Sequence, residues 1–171
     1  PINTNGNKWN VSNVVAMDNM FAGDACFNQD IGSWDTSGVT DMKNMFSGAT
    51  DFNQNIGNWN VKNVTNMKGM FYGAPHTDSS FNNGGSSDIS GWNTSSVTNM
   101  SSMFVRSSFN QPINTNGNKW NVSNVVEMDY MFYGDASFNQ DISGWDTRKV
   151  QYMGGMFGET LFNQPINTGA D

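Results

Sequence analysis

Cysteine is almost missing from this chain: Cys26 is the single one in 171 residues. No disulfide can therefore close within it, and a thiolate zinc site is not expected. Basic residues are scarce, with 8 lysines and arginines against 15 acids and a net charge of −7. They are scattered singly, so the basic stripe that a nucleic-acid partner requires is absent. No apolar run approaches the roughly 20 residues that cross a bilayer, and no charged-then-apolar leader opens the chain. Direct membrane insertion is not expected. Charged residues make up only 13% of the chain, and its polar surface is mostly Asn, Ser, Thr and Gly, which hydrogen-bond without creating a strong field.

What is present is repetition. All 12 methionines fall in six Met-x-x-Met-Phe motifs, at Met17, Met42, Met67, Met100, Met128 and Met153. The six tryptophans keep the same beat, at Trp9, Trp34, Trp59, Trp92, Trp120 and Trp145, with spacings of 25, 25, 33, 28 and 25 residues. A fixed period of this size predicts stacked coils. The expected fold is an α/β repeat solenoid of about six coils of ~25 residues, one array over 1–171 and a segment of a longer repeat protein.

Within one coil, Val39, Met42, Met45, Phe46 and Ala49 are spaced by three, three, one and three. That spacing predicts a short helix or 3₁₀ turn. Thr36 or Ser37, with Ser12, Ser95 and Ser123 in sister coils, fit its N-cap, and Gly23, Gly48, Gly73 and Gly134 its end. The segment from Phe27 to Trp34 has poor helix formers around Phe, Ile and Trp and reads as a short extended segment or strand plus a turn, paired in parallel with its counterparts. One coil buries too little apolar surface to offset the ordering of its backbone, so contact between coils must supply the rest.

An asparagine follows the first Phe of every coil: Asn28, Asn53, Asn82, Asn110, Asn139 and Asn163. A buried structural ladder of amides is expected there, because buried polar groups are normally paired. The alternative is a row of exposed amides for a ligand.

Departures from the period fall on loops. Thr-Asn-Gly-Asn at 4–7 and 115–118 lengthens the path from Ile to Trp from three residues to seven. The largest insertion runs from Tyr72 to Ile89 and carries Gly84-Gly85-Ser86-Ser87, which argues for flexibility. His76, Asp78, Ser79 and Ser80 lie together in it, but a catalytic triad needs separate rigid elements to hold its members, so no catalytic set is expected. Partner contact is the better use of such a loop, with Tyr72, His76, Asp78, Asn82, Asn83 and Asp88 as candidates. No cofactor is expected. Neither is a metal: Asn3 to Asn7 has no carboxylate for calcium, and the acids near coil corners, Asp24, Asp30, Asp135 and Asp141, make only a slightly better case. Residues 1–15 are identical to 112–126, so the unit of expansion is a four-coil block.

The phrase from Trp34 to Ile56, Trp-Asp-Thr-Ser-x-Val-Thr-x-Met-x-x-Met-Phe-x-x-Ala-x-x-Phe-Asn-Gln-x-Ile, resembles the bacterial surface protein repeat family, the BspA-like repeats that also occur in mycoplasma surface lipoproteins. The resemblance covers essentially the whole chain. It implies a relation to leucine-rich repeats, a curved solenoid with a parallel sheet on one side, and a place outside the cell or on its surface. It brings no catalytic residues. The expected function is a non-enzymatic repeat module for adhesion or protein–protein interaction. Alternatives are a fibre, sheath or coat subunit that self-associates through its terminal coils, and a glycan-binding surface built on the tryptophans.

Overall fold

The computed structural model describes residues 9–74, 77–115 and 119–166. Counted from their tryptophans, coil 1 is 9–33, coil 2 is 34–58, coil 3 is 59–91, coil 4 is 92–119, coil 5 is 120–144 and coil 6 starts at 145. His76 lies outside the described residues, as do 1–8 and 116–118 with most of both Thr-Asn-Gly-Asn insertions.

From the first Met of each pair the backbone makes overlapping turns. In coil 1, Met20 N donates to Met17 O at 3.3 Å, Ala22 N to Asn19 O at 3.1 Å and Asp24 N to Phe21 O at 3.2 Å. The third residue of the first turn is left-handed in every coil: Asn19, Asn44, Gly69, Ser102, Tyr130 and Gly155 have φ from 54 to 62°. A positive φ at that position belongs to a type II turn, and Asn and Gly adopt it at least cost.

The intervening N–H groups point along the stack. Those of Met17, Asn19, Phe21 and Gly23 donate to the carbonyls of Asp41, Lys43, Met45 and Ser47 at 2.7–2.9 Å. Coil 2 treats coil 3 in the same way, and the pattern continues to Phe132 N with Met156 O and Gly134 N with Gly158 O. One residue per coil makes a parallel bridge, in the series Ala16, Asp41, Asn66, Asn99, Glu127 and Tyr152.

These turns stand where the short helix was expected. Among the described residues there is no α-helix, and the two 3₁₀ helices, Asn83–Gly85 and Ser87–Gly91, belong to the insertion of coil 3. A helix would spend every N–H within itself; here alternate N–H groups are spent on the next coil, and recurrent left-handed residues break helical geometry. The spacing of three, three, one and three imitated a helix because each turn also spans three residues. Parallel backbone pairing, expected between Phe27 and Trp34, runs instead through 16–23 and its sister segments.

Two rows of phenylalanine fill the core. Phe21, Phe46, Phe71, Phe104, Phe132 and Phe157 follow one another with ring centroids 5.5–5.8 Å apart. Phe27, Phe52, Phe81, Phe109, Phe138 and Phe162 form the second row, at 5.7–6.3 Å. Each such contact adds about 0.5–1.5 kcal/mol beyond the apolar area it buries. Beside them Met42, Met45, Met67, Met70, Met100, Met103, Met128 and Met131 are fully buried. The flexible thioether fills the irregular space between turns.

Trp34, Trp59, Trp92 and Trp120 are buried as well. Trp34 and Trp59 stack at 6.3 Å, and Trp92 and Trp120 at 6.2 Å. The indole N–H groups of Trp59, Trp92 and Trp145 donate to Ile31 O, Ile56 O and Ile113 O, of coils 1, 2 and 4, at 2.8–3.2 Å. Trp9 is the open member of the row, half exposed on the first coil.

The residue after each tryptophan closes a side-chain turn. Asn10, Asp35, Asn60, Asn93, Asn121 and Asp146 accept through Oδ1 from the backbone N–H two residues on. This is the Asx turn, which lets a short polar side chain replace a backbone partner. The acceptor is thus not the expected cap but the residue two before Ser12, Ser37, Ser95 and Ser123, whose own N–H groups are the donors. Thr36 and Thr94 use their hydroxyls between coils, donating to Asn60 O and Asn121 O.

Candidate interaction surface

The six asparagines that follow the first Phe stand in one line. Asn28 Oδ1 accepts from Asn53 N at 3.0 Å, Asn53 Oδ1 from Asn82 N at 2.8 Å and Asn82 Oδ1 from Asn110 N at 2.9 Å. Asn110 Oδ1 then accepts from Asn139 N at 3.1 Å, and Asn139 Oδ1 from Asn163 N at 2.9 Å. Gln54, Gln111 and Gln140 brace the line from the side by donating to Asn28, Asn82 and Asn110. The amides lie on a half-exposed rim rather than in the interior. Their Oδ1 atoms are engaged by the next coil's backbone, a structural use.

The insertion of coil 3 is tied down on both sides. Ser79 N donates to Arg106 O at 2.7 Å and Ser80 N to Thr50 O at 2.9 Å. Its Gly-Gly-Ser-Ser stretch is folded into the two 3₁₀ helices and pinned by Asn83, which is fully buried. Asn83 Oδ1 accepts from Ile56 N at 2.9 Å, and its Nδ2 donates to Ser86 O and to Asp88 Oδ1. Asp88 also accepts from Ser86 Oγ and from Asn55 Nδ2. Its partial burial pushes the carboxyl up, but the hydrogen bonds from Ser86, Asn55 and Asn83 outweigh that and hold it below the usual carboxylate range. Asn82, Asn83 and Asp88 therefore build the coil. Tyr72, half-buried, and Asp78, exposed, face outward.

Those two belong to a larger patch on the turn side of the stack. In the last turn, Gly23, Gly48 and Gly134 take a left-handed backbone, Gly73 does not, and Arg106 and Glu159 take the left-handed conformation at φ 49° and 56°. A charged side chain there costs about 1 kcal/mol or more in backbone strain. Arg106 crosses Gly134, where an added Cβ would meet its Cγ at 2.9 Å, to reach Glu159 two coils away at 3.3 Å. On its other side Asp78 lies at 4.0 Å.

Tyr133 donates its hydroxyl to Glu159 Oε1 at 2.5 Å, and that bond raises the phenol above its ordinary range. Tyr130 meets Tyr133 edge-on at 5.7 Å and is 50% exposed. Both rings rest on glycines of coil 6, since a Cβ at Gly155 would meet Tyr130 at 2.5 Å and one at Gly158 would meet Tyr133 at 2.7 Å. Beside them Tyr72 walls a shallow groove of about 260 Å³ with Asn44, Ser47, Gly69 and Ser102. Sequence analysis named Tyr72 and Asp78 but missed Arg106, Tyr130, Tyr133 and Glu159. The available signal was the loss of glycine at positions 106 and 159 of an otherwise regular repeat.

Among the described residues Asp135 is the buried acid, fully enclosed. It accepts from Ser107 Oγ at 2.6 Å and from the backbone N–H groups of Phe109, Ser137 and Phe138 at 3.0–3.2 Å. Burial pushes its carboxyl up to about 7 against the opposing pull of those donors. Four donors on one carboxylate make it a structural acceptor. Asp141 likewise accepts from Ser143 N and Asn114 Nδ2, which hold it below its ordinary value.

One protein family matches the chain twice, over residues 1–84 and 79–169; it is described as Mycoplasma protein of unknown function, DUF285. Neither a curated protein nor a solved structure matches it.

Proposed function

We propose that this chain, which belongs to the family described as Mycoplasma protein of unknown function, DUF285, is a non-enzymatic repeat module of the cell surface that binds a protein partner through its turn side. The observation that carries this reading is the cluster of Arg106, Tyr130, Tyr133, Glu159 and Asp78, gathered from four coils onto one rigid frame. Tyr and Arg are the side chains that dominate protein interfaces, because they bring large contact area and directed hydrogen bonds at low entropic cost. Arg106, Tyr130 and Glu159 hold strained backbone at positions where sister coils use residues with less to offer. Strain of that kind persists where function needs the side chain.

The stack is read here as a solenoid related to the bacterial surface protein repeats and through them to leucine-rich repeats. What supports that relation is one parallel bridge per coil at a period near 25 residues, with core phenylalanines in unbroken rows. The test is a binding screen of the 171-residue chain against extracellular matrix and cell-surface proteins, repeated with Tyr130→Ala and Arg106→Gly. A partner lost at least tenfold by both substitutions supports the reading. A partner that binds both variants as well as the parent removes the patch from consideration.

A further inference from the structure

A second, chemically different surface opens where coils 2, 3 and 4 meet. It is a groove of about 470 Å³ whose rim carries Asn58, Asn60, Lys62, Asn93 and Lys119, over a floor that includes Gly57 and Gly91. That volume falls among small-molecule sites, which span about 300–1,000 Å³. Its polar character is one-sided. Asn60 Oδ1 and Asn93 Oδ1 are already committed to the backbone N–H groups of Lys62 and Ser95, each at 3.2 Å. Their Nδ2 groups, which can only donate, are the ends left for a ligand.

Lys62 and Lys119 add two ammonium groups, and among the described residues neither takes part in an ion pair. One carboxylate stands at its edge: Asp88 lies over Gly57, where an added Cβ would meet its Oδ1 at 2.5 Å, but it is already engaged by Ser86, Asn83 and Asn55. The aligned positions in coils 2 and 6 carry Asp35 and Asp146, and those in coils 1 and 5 carry Asn10 and Asn121; what sets this part of the stack apart is Lys62, where coils 1, 2, 4 and 5 have Ser12, Ser37, Ser95 and Ser123. In a chain with a net charge of −7, such a concentration of donors and cations stands against the general field.

We infer that this groove binds an acidic glycan, a saccharide bearing carboxylate or sulfate groups. The lysines neutralise the anionic groups, the amides donate to ring hydroxyls, and Gly91, with no atom within 4 Å of where a Cβ would stand, leaves the floor open to a sugar ring. Asn58 offers a whole carboxamide at the rim. The inference is independent of the tyrosine patch, which shares no residue with the groove.

Titration calorimetry with heparin, polygalacturonate and neutral dextran tests it. The sulfated and the carboxylate polymer separate the two sources of charge, and binding to either one, weakening as salt screens the lysines, is the expected result. Lys62→Ala with Lys119→Ala should lower affinity at least tenfold, while Lys43→Ala with Lys149→Ala, the same change in charge elsewhere, should alter it less than twofold. Asn58→Ala should cost a further few-fold without changing charge, which diffuse attraction does not predict. Equal losses from the two lysine pairs, equal binding of dextran, or no binding of either acidic polymer would overturn the proposal.

Discussion

Ser107 and Asp135, one coil apart, share a hydrogen bond of 2.6 Å at a place where neither side chain meets solvent to any extent. Coils 2 and 3 solve the same position with Ala49 and Ala74, which need no partner. The polar pair therefore adds a titratable group to a core that, among the described residues, otherwise lacks one.

Stability should depend on pH through Asp135. Its carboxyl is raised to about 7 in the folded chain by burial, against about 3.9 when unfolded. The folded state thus holds the proton more tightly, and its advantage is complete below about pH 4 and is lost as the pH rises through 7. Denaturant unfolding at pH 4.5 and 7.5 should show the chain less stable at the higher pH, by about 3 kcal/mol. The dependence should flatten in Asp135→Ala, and a parent chain equally stable at both values would refute the assignment.

The asparagine line should give graded losses. Asn53 Oδ1 receives two backbone N–H groups, from Asn82 and Gly84, whereas Asn139 Oδ1 receives that of Asn163. Asn53→Ala should cost about 2–3 kcal/mol and Asn139→Ala about 1 kcal/mol, since each stranded donor carries its own desolvation penalty. Thermal melts of the two variants decide it, and the reverse order would place the support elsewhere.

Arg106→Gly should separate stability from binding. Glycine relieves a left-handed backbone at the cost of two exposed ion pairs, with Glu159 and Asp78, and pairs of that sort contribute little. The melting temperature should hold or rise by a degree or two, while affinity for the partner of the turn-side patch falls. A large drop in melting temperature would make Arg106 a structural residue.

Glycines in the same backbone region should differ by what lies above them. Gly23→Ala meets no atom within 4 Å and should cost about 1 kcal/mol from backbone strain alone. Gly155→Ala would drive a Cβ to 2.5 Å from the Tyr130 ring, so it should cost more and move the tyrosine. Tyrosine fluorescence quenching reports that displacement, and identical behaviour of the two variants would contradict the packing described.

The rows of Met, Phe and Trp could be read from periodicity because the copies of the inner coils are buried for the same reason and recur at the same register, with Trp9 and Met153 exposed only at the two ends. The turns could not, since three-residue turns and a helix put apolar residues at similar intervals. The distinguishing clue was chemical: Asn19, Asn44, Gly69 and Gly155 are poor helix formers at one recurring position and good left-handed ones. Which segment pairs between coils is decided by which N–H groups the turns leave over, a matter of geometry in three dimensions. In the patch, Arg106 and Glu159 are 53 residues apart and meet because Gly134 between them has no side chain. Sequence order conceals that juxtaposition.

The backbone bonds between coils run along the stack, so tension applied to its two ends loads them one layer at a time. Such a chain should peel rather than shear. Each freed coil would add the extended length of its own residues, about 85 Å for an ordinary coil and about 110 Å for coil 3 at roughly 3.4 Å per residue. A force trace would then carry the irregular spacing of the tryptophans as a pattern of step lengths, and the longest step would mark the release of the insertion held between Thr50 and Arg106.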